Sequence, residues 1–311
     1  MSVLICGSLA YDVIMRFDGR FRENILPEAA DHLNVSFLAS HMRREFGGCA
    51  GNIAYNLGLL GVTGYPMATV GRDFQDYAAW MDEKGISRSR VKELGDRFTS
   101  QAFISTDLDD NQITLFHPGA MDFCHEQEVD PTDVRLGLIS PEGRTGMIEH
   151  AQQMAEAGVP FLFDPGQGMP MFQKEDFLRF VEQATWAAFN GFEAELMQKK
   201  SELTIEQLAE RLEAVIVTHS ERGSCIYLKG QPMLEIPAVP VEQDVDPTGC
   251  GDAYRAGLLY GILNDMDWET CGRLGSLMGS CKIKHQGAQN HTTTLAELTE
   301  RFREEFGYSP E

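Results

Sequence analysis

From residue 134 onward the chain alternates short apolar runs with longer amphipathic stretches, and few folds accept that rhythm. Runs at 134–139, 160–163, 186–189 and 214–218 have the length and composition of buried strands. The stretches at 143–157, 174–184, 192–199 and 205–212 carry apolar residues at helical spacing and separate those runs. Neighbouring parallel strands cannot be joined by a tight turn, so the helices must serve as crossovers. The predicted fold class is therefore α/β, with a central, mostly parallel sheet flanked by helices on both faces. A first strand at 3–6, a strand near 66–70, and helices at 52–60 and 75–84 extend the pattern upstream. Downstream, runs at 224–228 and 233–236 flank Lys229, Gly230 and Gln231 and predict an antiparallel hairpin at one edge. Helices at 252–263 and 268–284, and one starting near Thr294, close the chain.

Two stretches break the rhythm. Residues 100–106 and 112–117 are strand-like and flank Asp109, Asp110 and Asn111, a hairpin signal. Residues 13–40 have mixed polarity and no sustained period. A hairpin inserted among α/β units projects from the main sheet. The expectation is a single domain over 1–311 with a small β lid formed by about 13–40 and 98–118.

Composition removes several functions. Acidic residues outnumber basic ones 47 to 26, for a formal charge of −21 and a pI near 4.7. Nucleic-acid binding is driven by Lys and Arg neutralising phosphates, so no nucleic-acid partner is expected. No apolar run reaches the length of a membrane helix, and the N-terminus lacks the basic and apolar regions of a signal peptide. The seven cysteines are scattered with no C-x-x-C pair, which fits reduced thiols and a cytoplasmic location rather than a thiolate zinc site.

The segment most specific for chemistry is DPTGCGDAY at 246–254. Gly249 and Gly251 free the backbone to turn sharply, and the following helix points its unpaired N–H groups back at that turn. Asp252 stands in this anion site on the first helical turn. It can be a simple helix cap, or a base beside a phosphate cradle. A second glycine-rich turn, Gly47-Gly48, opens the helix that carries Asn52; as a bare pattern it fits a tight packing turn equally well. Asn190 and Glu193 have the spacing of a helix-capping box and could also orient the water shell of Mg²⁺, an ion that keeps several of its waters.

These segments resemble the signatures of the ribokinase-like carbohydrate and purine kinase family, in the family's order and over nearly the whole chain. DPTGCGD is similar to D-T-x-G-A-G-D, with Pro247 and Cys250 replacing the commoner residues. The resemblance implies that Asp252 is the catalytic base, that Gly249, Cys250 and Gly251 form the anion hole, and that Asp246 helps hold a monovalent cation, K⁺, with carbonyls near 246–248 and 281–290. Gly47, Gly48 and Asn52 match G-G-x-x-x-N, which implies contacts to sugar hydroxyls, and Asp12 matches the acidic residue that grips two adjacent hydroxyls. Asn190 and Glu193 match N-x-x-E, implying Mg²⁺ held through water. Thr218 and Gly223 match the T-x-G-x-x-G turn that meets nucleotide phosphates, although Ser220 stands where the family often has Gly. Gly287 and Ala288 resemble the G-A pair near the adenine pocket.

The implied activity is ATP-dependent transfer of a phosphoryl group to a hydroxyl. The texture is most like the nucleoside-kinase branch, so the expected acceptor is the 5′-hydroxyl of adenosine or a related nucleoside. Met15, Phe17, Phe37, Phe103, Gln112 and Phe116 are the side chains offered to a base. The aromatics among them fit lid packing or a subunit contact equally well. Two alternatives stand beside this reading: a kinase of ribose or fructose, and a catalytically silent nucleotide or sugar sensor on the same fold. The protein is expected to be a monomer or homodimer.

Overall fold

Every residue of the first strand, Ser2–Cys6 (β1), is buried, and its side chains alternate between two cores. Val3 and Ile5 pack into one core, Leu4 and Cys6 into the other. The same alternation recurs in Trp186–Asn190, where Trp186 and Ala188 face one core and Ala187 and Phe189 the other. A strand buried on both faces must be covered on both, and that is what the continuous apolar runs announce. The computed structural model describes residues 2–25, 34–109 and 111–310.

In chain order the strands are β1, Ala10–Phe17 (β2), Ala39–Gly47 (β3), Thr63–Gly71 (β4), Val91–Leu94 (β5), Ser100–Thr106 (β6), Gln112–His117 (β7), Leu136–Ile139 (β8), Phe161–Phe163 (β9), Trp186–Asn190 (β10), Ala214–Thr218 (β11), Ser224–Leu228 (β12) and Leu234–Ile236 (β13). The main sheet has nine strands in the order β13-β12-β11-β10-β9-β8-β1-β4-β5. All its pairings are parallel except β11–β12 and β12–β13, the edge hairpin. Helices Cys49–Leu59 and Cys250–Leu263 cover the Val3/Ile5 face; Arg144–Glu156, Lys174–Gln183 and Gly191–Ser201 cover the opposite one. Helices Trp268–Lys282 and Leu295–Phe306 add an outer layer over Ala253. β1 lies between β4 and β8, so the strand order reverses there. Ligands of open α/β sheets bind beyond the carboxyl ends of strands at such a point.

The lid is a four-stranded sheet, β3-β2-β6-β7. Its hairpin β6–β7 has the bounds expected from sequence, apart from the turn residue Asp110, which lies outside the described residues. The other arm differs from expectation. The stretch read as irregular at 13–40 contains β2, the short helix Phe21–Asn24 and the start of β3, while 26–33 lie outside the described residues. β3 runs on to Gly47, so the lid sheet leads directly into the Gly47-Gly48 turn.

Candidate active site

Gly48 is the N-cap of the helix Cys49–Leu59, with φ +85, and a Cβ there would fall 2.5 Å from Ser8 O and 2.7 Å from Ala10 N. Only glycine accepts both the positive φ and that approach. The turn brings Gly47 against Asp12 on β2, with the Gly47 Cβ position 2.6 Å from Asp12 Oδ2. One turn into the helix stands Asn52. Its Nδ2 donates to Asp252 Oδ2 at 2.8 Å, joining the two signatures across 200 residues of sequence.

A buried network fixes that contact. Gln289 Nε2 donates to Asn52 Oδ1 at 2.9 Å and to the Tyr77 hydroxyl at 2.7 Å. Tyr77 donates to Gly47 O at 2.8 Å, and Trp80 Nε1 donates to Gln289 Oε1 at 3.0 Å. The Asn52 amide is therefore oriented with its oxygen toward Gln289 and its nitrogen toward Asp252. Tyr77 feels the charges of both Asp12 and Asp252, so the two carboxylates share one neighbourhood.

Asp252 lies on the first turn of the helix Cys250–Leu263, whose N-cap is Gly249 at φ +80. A Cβ on Gly249 would fall 2.7 Å from Ala288 Cβ, so the Gly287-Ala288 pair backs this turn. Among the described residues, no side chain caps the helix. Its opening N–H groups, which an α-helix leaves without internal partners, remain for a ligand. Cys250 N is the exception, donating to Pro247 O at 3.1 Å. Open space surrounds the Cβ direction of Gly251. Burial pushes the Asp252 carboxyl up to about 7, against the pull of the Asn52 hydrogen bond and of Arg255, with repulsion from Asp164 adding to the rise. Burial likewise raises the Cys250 thiol to about 11, so it is neutral and does not repel an anion.

Three groups that the sequence reading passed over complete this end of the sheet. Asp164 follows β9 and takes a bidentate pair of bonds from Arg255, at 3.1 Å and 3.0 Å, both side chains being buried. Among the described residues, Arg255 Nη1 has no hydrogen-bond partner. Lys282, the last residue of its helix, is fully buried and donates to Asp246 O at 2.5 Å and His285 O at 3.1 Å. Asp164 was legible as an acid at a strand's carboxyl end before Pro165 and Gly166. Lys282 was legible as a cation four residues past Met278, on an apolar helix face.

Asn190 and Glu193 form the capping box expected from their spacing. Asn190 Nδ2 and N donate to the two Glu193 oxygens at 2.7 Å and 2.8 Å, and Glu193 N donates to Asn190 Oδ1 at 2.8 Å. Burial and then Asp164 raise the Glu193 carboxyl above its ordinary value. Thr218 pairs with Asn190 in the β10–β11 ladder, so both stand at the carboxyl ends of adjacent strands. In the turn that follows, His219 N donates to Gly223 O at 2.7 Å. Ser220 has φ +53, the left-handed conformation that glycine adopts most readily. An open groove of about 600 Å³, lined in part by His219, Arg222 and Glu235, borders this turn.

Asp246 accepts from Thr248 N and Gly287 N, each at 2.9 Å. Burial works to raise its pKa, but these N–H groups outweigh it and the pKa falls below its ordinary value. On the lid, Asp12 pairs with Ala102 and Ala102 with Phe116, so Phe116 and, two steps along twice, Gln112 share the Asp12 face. Met15 and Phe103, offered to a base by the sequence reading, fall on the opposite face because side chains alternate along a strand. Phe17 and Phe37 pack instead against Phe21, with ring centroids at 5.9 Å and 4.9 Å from it.

Residues 3–295 match the family model described as pfkB family carbohydrate kinase. The chain belongs to the pfkB family of carbohydrate kinases. It is thus a phosphotransferase acting on alcohol groups. Among pfkB relatives, the nucleoside kinase of Methanocaldococcus jannaschii is 32% identical over 273 residues, covering 86% of this chain and 89% of that protein. The Burkholderia thailandensis nucleoside kinase in complex with inosine superposes with a TM-score of 0.91 at 50% identity, over 99% of each chain. The ADP-inosine complex of the same protein gives a TM-score of 0.88, covering 99% of this chain and 97% of that one. Among the described residues, no helix is long and apolar enough to cross a membrane.

Proposed function

We propose that the protein is an ATP-dependent kinase that phosphorylates the 5′-hydroxyl of adenosine or a related purine nucleoside. The observation that carries this reading is the 2.8 Å bond from Asn52 to Asp252, which sets the sugar-hydroxyl motif against the base. Asp12, Gly47, Gly48 and Asn52 hold the ribose hydroxyls, and the 5′-oxygen lies beside Asp252. Asp252 takes the proton as that oxygen bonds to the γ-phosphorus and the bond to the β–γ bridging oxygen breaks, releasing ADP. Charge gathering on the phosphoryl oxygens meets the N–H groups at the start of the helix Cys250–Leu263. Thr218 and Gly223 meet the nucleotide phosphates, and Gly287 and Ala288 border the adenine. Inosine and ADP-inosine complexes of a protein 50% identical support a nucleoside acceptor. So does Phe116, 50% exposed on the Asp12 face of the lid, an aromatic surface that a free pentose leaves unused. Seven free thiols support a reducing, cytoplasmic setting.

The donor set also fits Mg²⁺, which when bound with the nucleotide supplies charge neutralisation of the phosphates. Among the described residues no group of three or more acidic, His or Cys side chains could ligate a metal directly. Each Glu193 oxygen accepts one bond from Asn190, which leaves lone pairs for the ion's waters. Glu193→Gln keeps one acceptor and removes the charge. Its Mg²⁺ half-activation concentration is expected to rise by roughly threefold or more. An unchanged Mg²⁺ titration would restrict Glu193 to capping its helix.

The acceptor is tested by measuring kcat/KM for adenosine, inosine, guanosine, cytidine, ribose and fructose under one condition. Purine nucleosides are expected to lead, with more than one base accepted because every base offers a π-face. A free sugar ahead of every nucleoside by about tenfold would replace this reading with a sugar kinase.

A further inference from the structure

A buried cation must be met by acceptors, and Lys282 is met by two backbone carbonyls. Its side chain is 0% exposed, and its Nζ donates to Asp246 O at 2.5 Å and to His285 O at 3.1 Å. Asp246 opens the segment that ends in Asp252, and His285 lies in the turn that leads to Gly287 and Ala288. Further bonds sew the two segments together. Val245 N and Asp246 N donate to Ile283 O at 3.0 Å and 3.1 Å, and Gly287 N donates to Asp246 Oδ2 at 2.9 Å. The ammonium thus sits at the crossing of the two backbone segments that position Gly249. Burial pulls its pKa down; negative charge on Asp246 and, more weakly, Asp244 opposes that fall, and Arg43 adds to it.

These are the two segments whose carbonyls the family resemblance assigns to K⁺. A dehydrated K⁺ and a lysine ammonium are both compact unit charges that carbonyl oxygens can satisfy. Here one carbonyl from each segment is already turned to an ammonium, so the residues present do not fit a dissolved ion as well. We propose that Lys282 is a tethered monovalent cation, a positioning residue that holds the anion-hole turn in place of K⁺. Its charge stiffens the crossing of 245–246 with 283–287. Ala288, packed under Gly249, then keeps the opening N–H groups of the helix Cys250–Leu263 aimed at the phosphate. A tethered cation is present at every ionic composition, so the enzyme works without K⁺. The inference rests on the phosphotransfer reading of that turn.

The test measures initial rates for the wild-type enzyme in KCl, NaCl and choline chloride at matched ionic strength, with ATP supplied free of K⁺. Melting temperatures are recorded in the same salts for the wild type, Lys282→Met and Lys282→Ala. The wild type is expected to show the same rate within about twofold, and the same Tm, in all three salts. Lys282→Met, similar in length but uncharged, should melt cooperatively yet lose about tenfold or more in kcat with little change in nucleoside KM. Lys282→Ala opens room for an ion, so K⁺ but not choline should raise both its Tm and its rate, saturably. A wild-type rate about tenfold higher in K⁺ than in choline overturns the proposal, as does a folded Lys282→Met with wild-type kcat. If neither variant folds, the wild-type salt series decides alone. Absence of turnover with every acceptor in every salt would sink the phosphotransfer reading instead. The K⁺-dependent Tm of Lys282→Ala would still decide the claim about the cation.

Discussion

Asp252→Asn is expected to fold, bind nucleotide and turn over at less than about one-hundredth of the wild-type rate, the usual scale for a positioned general base. Asparagine keeps an oxygen that can accept from Asn52 Nδ2, so the network through Gln289 and Tyr77 survives, and only the proton acceptor is lost. The wild type should show its own signature in pH. Burial lifts the Asp252 carboxyl to about 7, so kcat/KM should rise with pH and level off above that value as the base ionises. The linkage to stability has a definite sign. A carboxyl whose folded pKa is raised binds its proton more tightly when folded, so its stability contribution is full below the unfolded value and is lost as pH rises through about 7. Asp252→Asn should therefore melt above the wild type at about pH 8, with the gap closing toward about pH 5. Near-normal kcat in the variant, or a flat wild-type profile across that range, would remove Asp252 as the base.

The strands of the main sheet were legible because burial on both faces forces continuous apolar runs, and β11 and β12 match their expected bounds. The lid strands β2 and β3 were not, because charged residues interrupt their pattern. β3 reads ASHMRREFG, and its charges belong to the site or to the lid's anchoring. Glu45 accepts from Asn290 at 2.8 Å, Arg43 lies 3.8 Å from both Glu45 and Asp246, and Arg44 stacks over Tyr11 at 4.6 Å. A strand that places polar groups on a ligand-facing side loses the apolar alternation by which strands are recognised. The motifs at 47–52 and 246–252 were legible because each is built on a turn that needs its glycines. Gln289 and Tyr77 carry no such local mark. Their roles arise from contacts across the fold, as between Gln289 and Asn52, 237 positions apart. The pairing of Asp164 with Arg255 was hidden for the same reason, being formed across 91 positions.

Asp12→Asn is expected to cost roughly 10²-fold in kcat/KM for a nucleoside, most of it through KM. As a carboxylate, Asp12 can accept from two adjacent ribose hydroxyls at once; the amide offers one neutral acceptor and turns a donor toward the other hydroxyl. A hydrogen bond to a charged group is worth about 1.5–3 kcal/mol, so losing one and weakening the other comes to about 3 kcal/mol. In the proposed reaction the reacting oxygen is the 5′-hydroxyl beside Asp252, so the grip on the diol is much the same before and during reaction, and uniform binding of that kind appears in KM. Stability should move the opposite way. Burial, then repulsion from Glu45 and Asp246, raises Asp12 to about 6 against the pull of Arg43. Its contribution is therefore full at low pH and lost as pH rises through about 6, and removing the charge should raise the Tm of the ligand-free protein at about pH 8. A substrate-free Tm that rises while nucleoside KM climbs steeply identifies Asp12 as a binding group held at a cost to the fold. An unchanged KM with a lowered Tm would make it a structural member of the lid and move the ribose grip elsewhere.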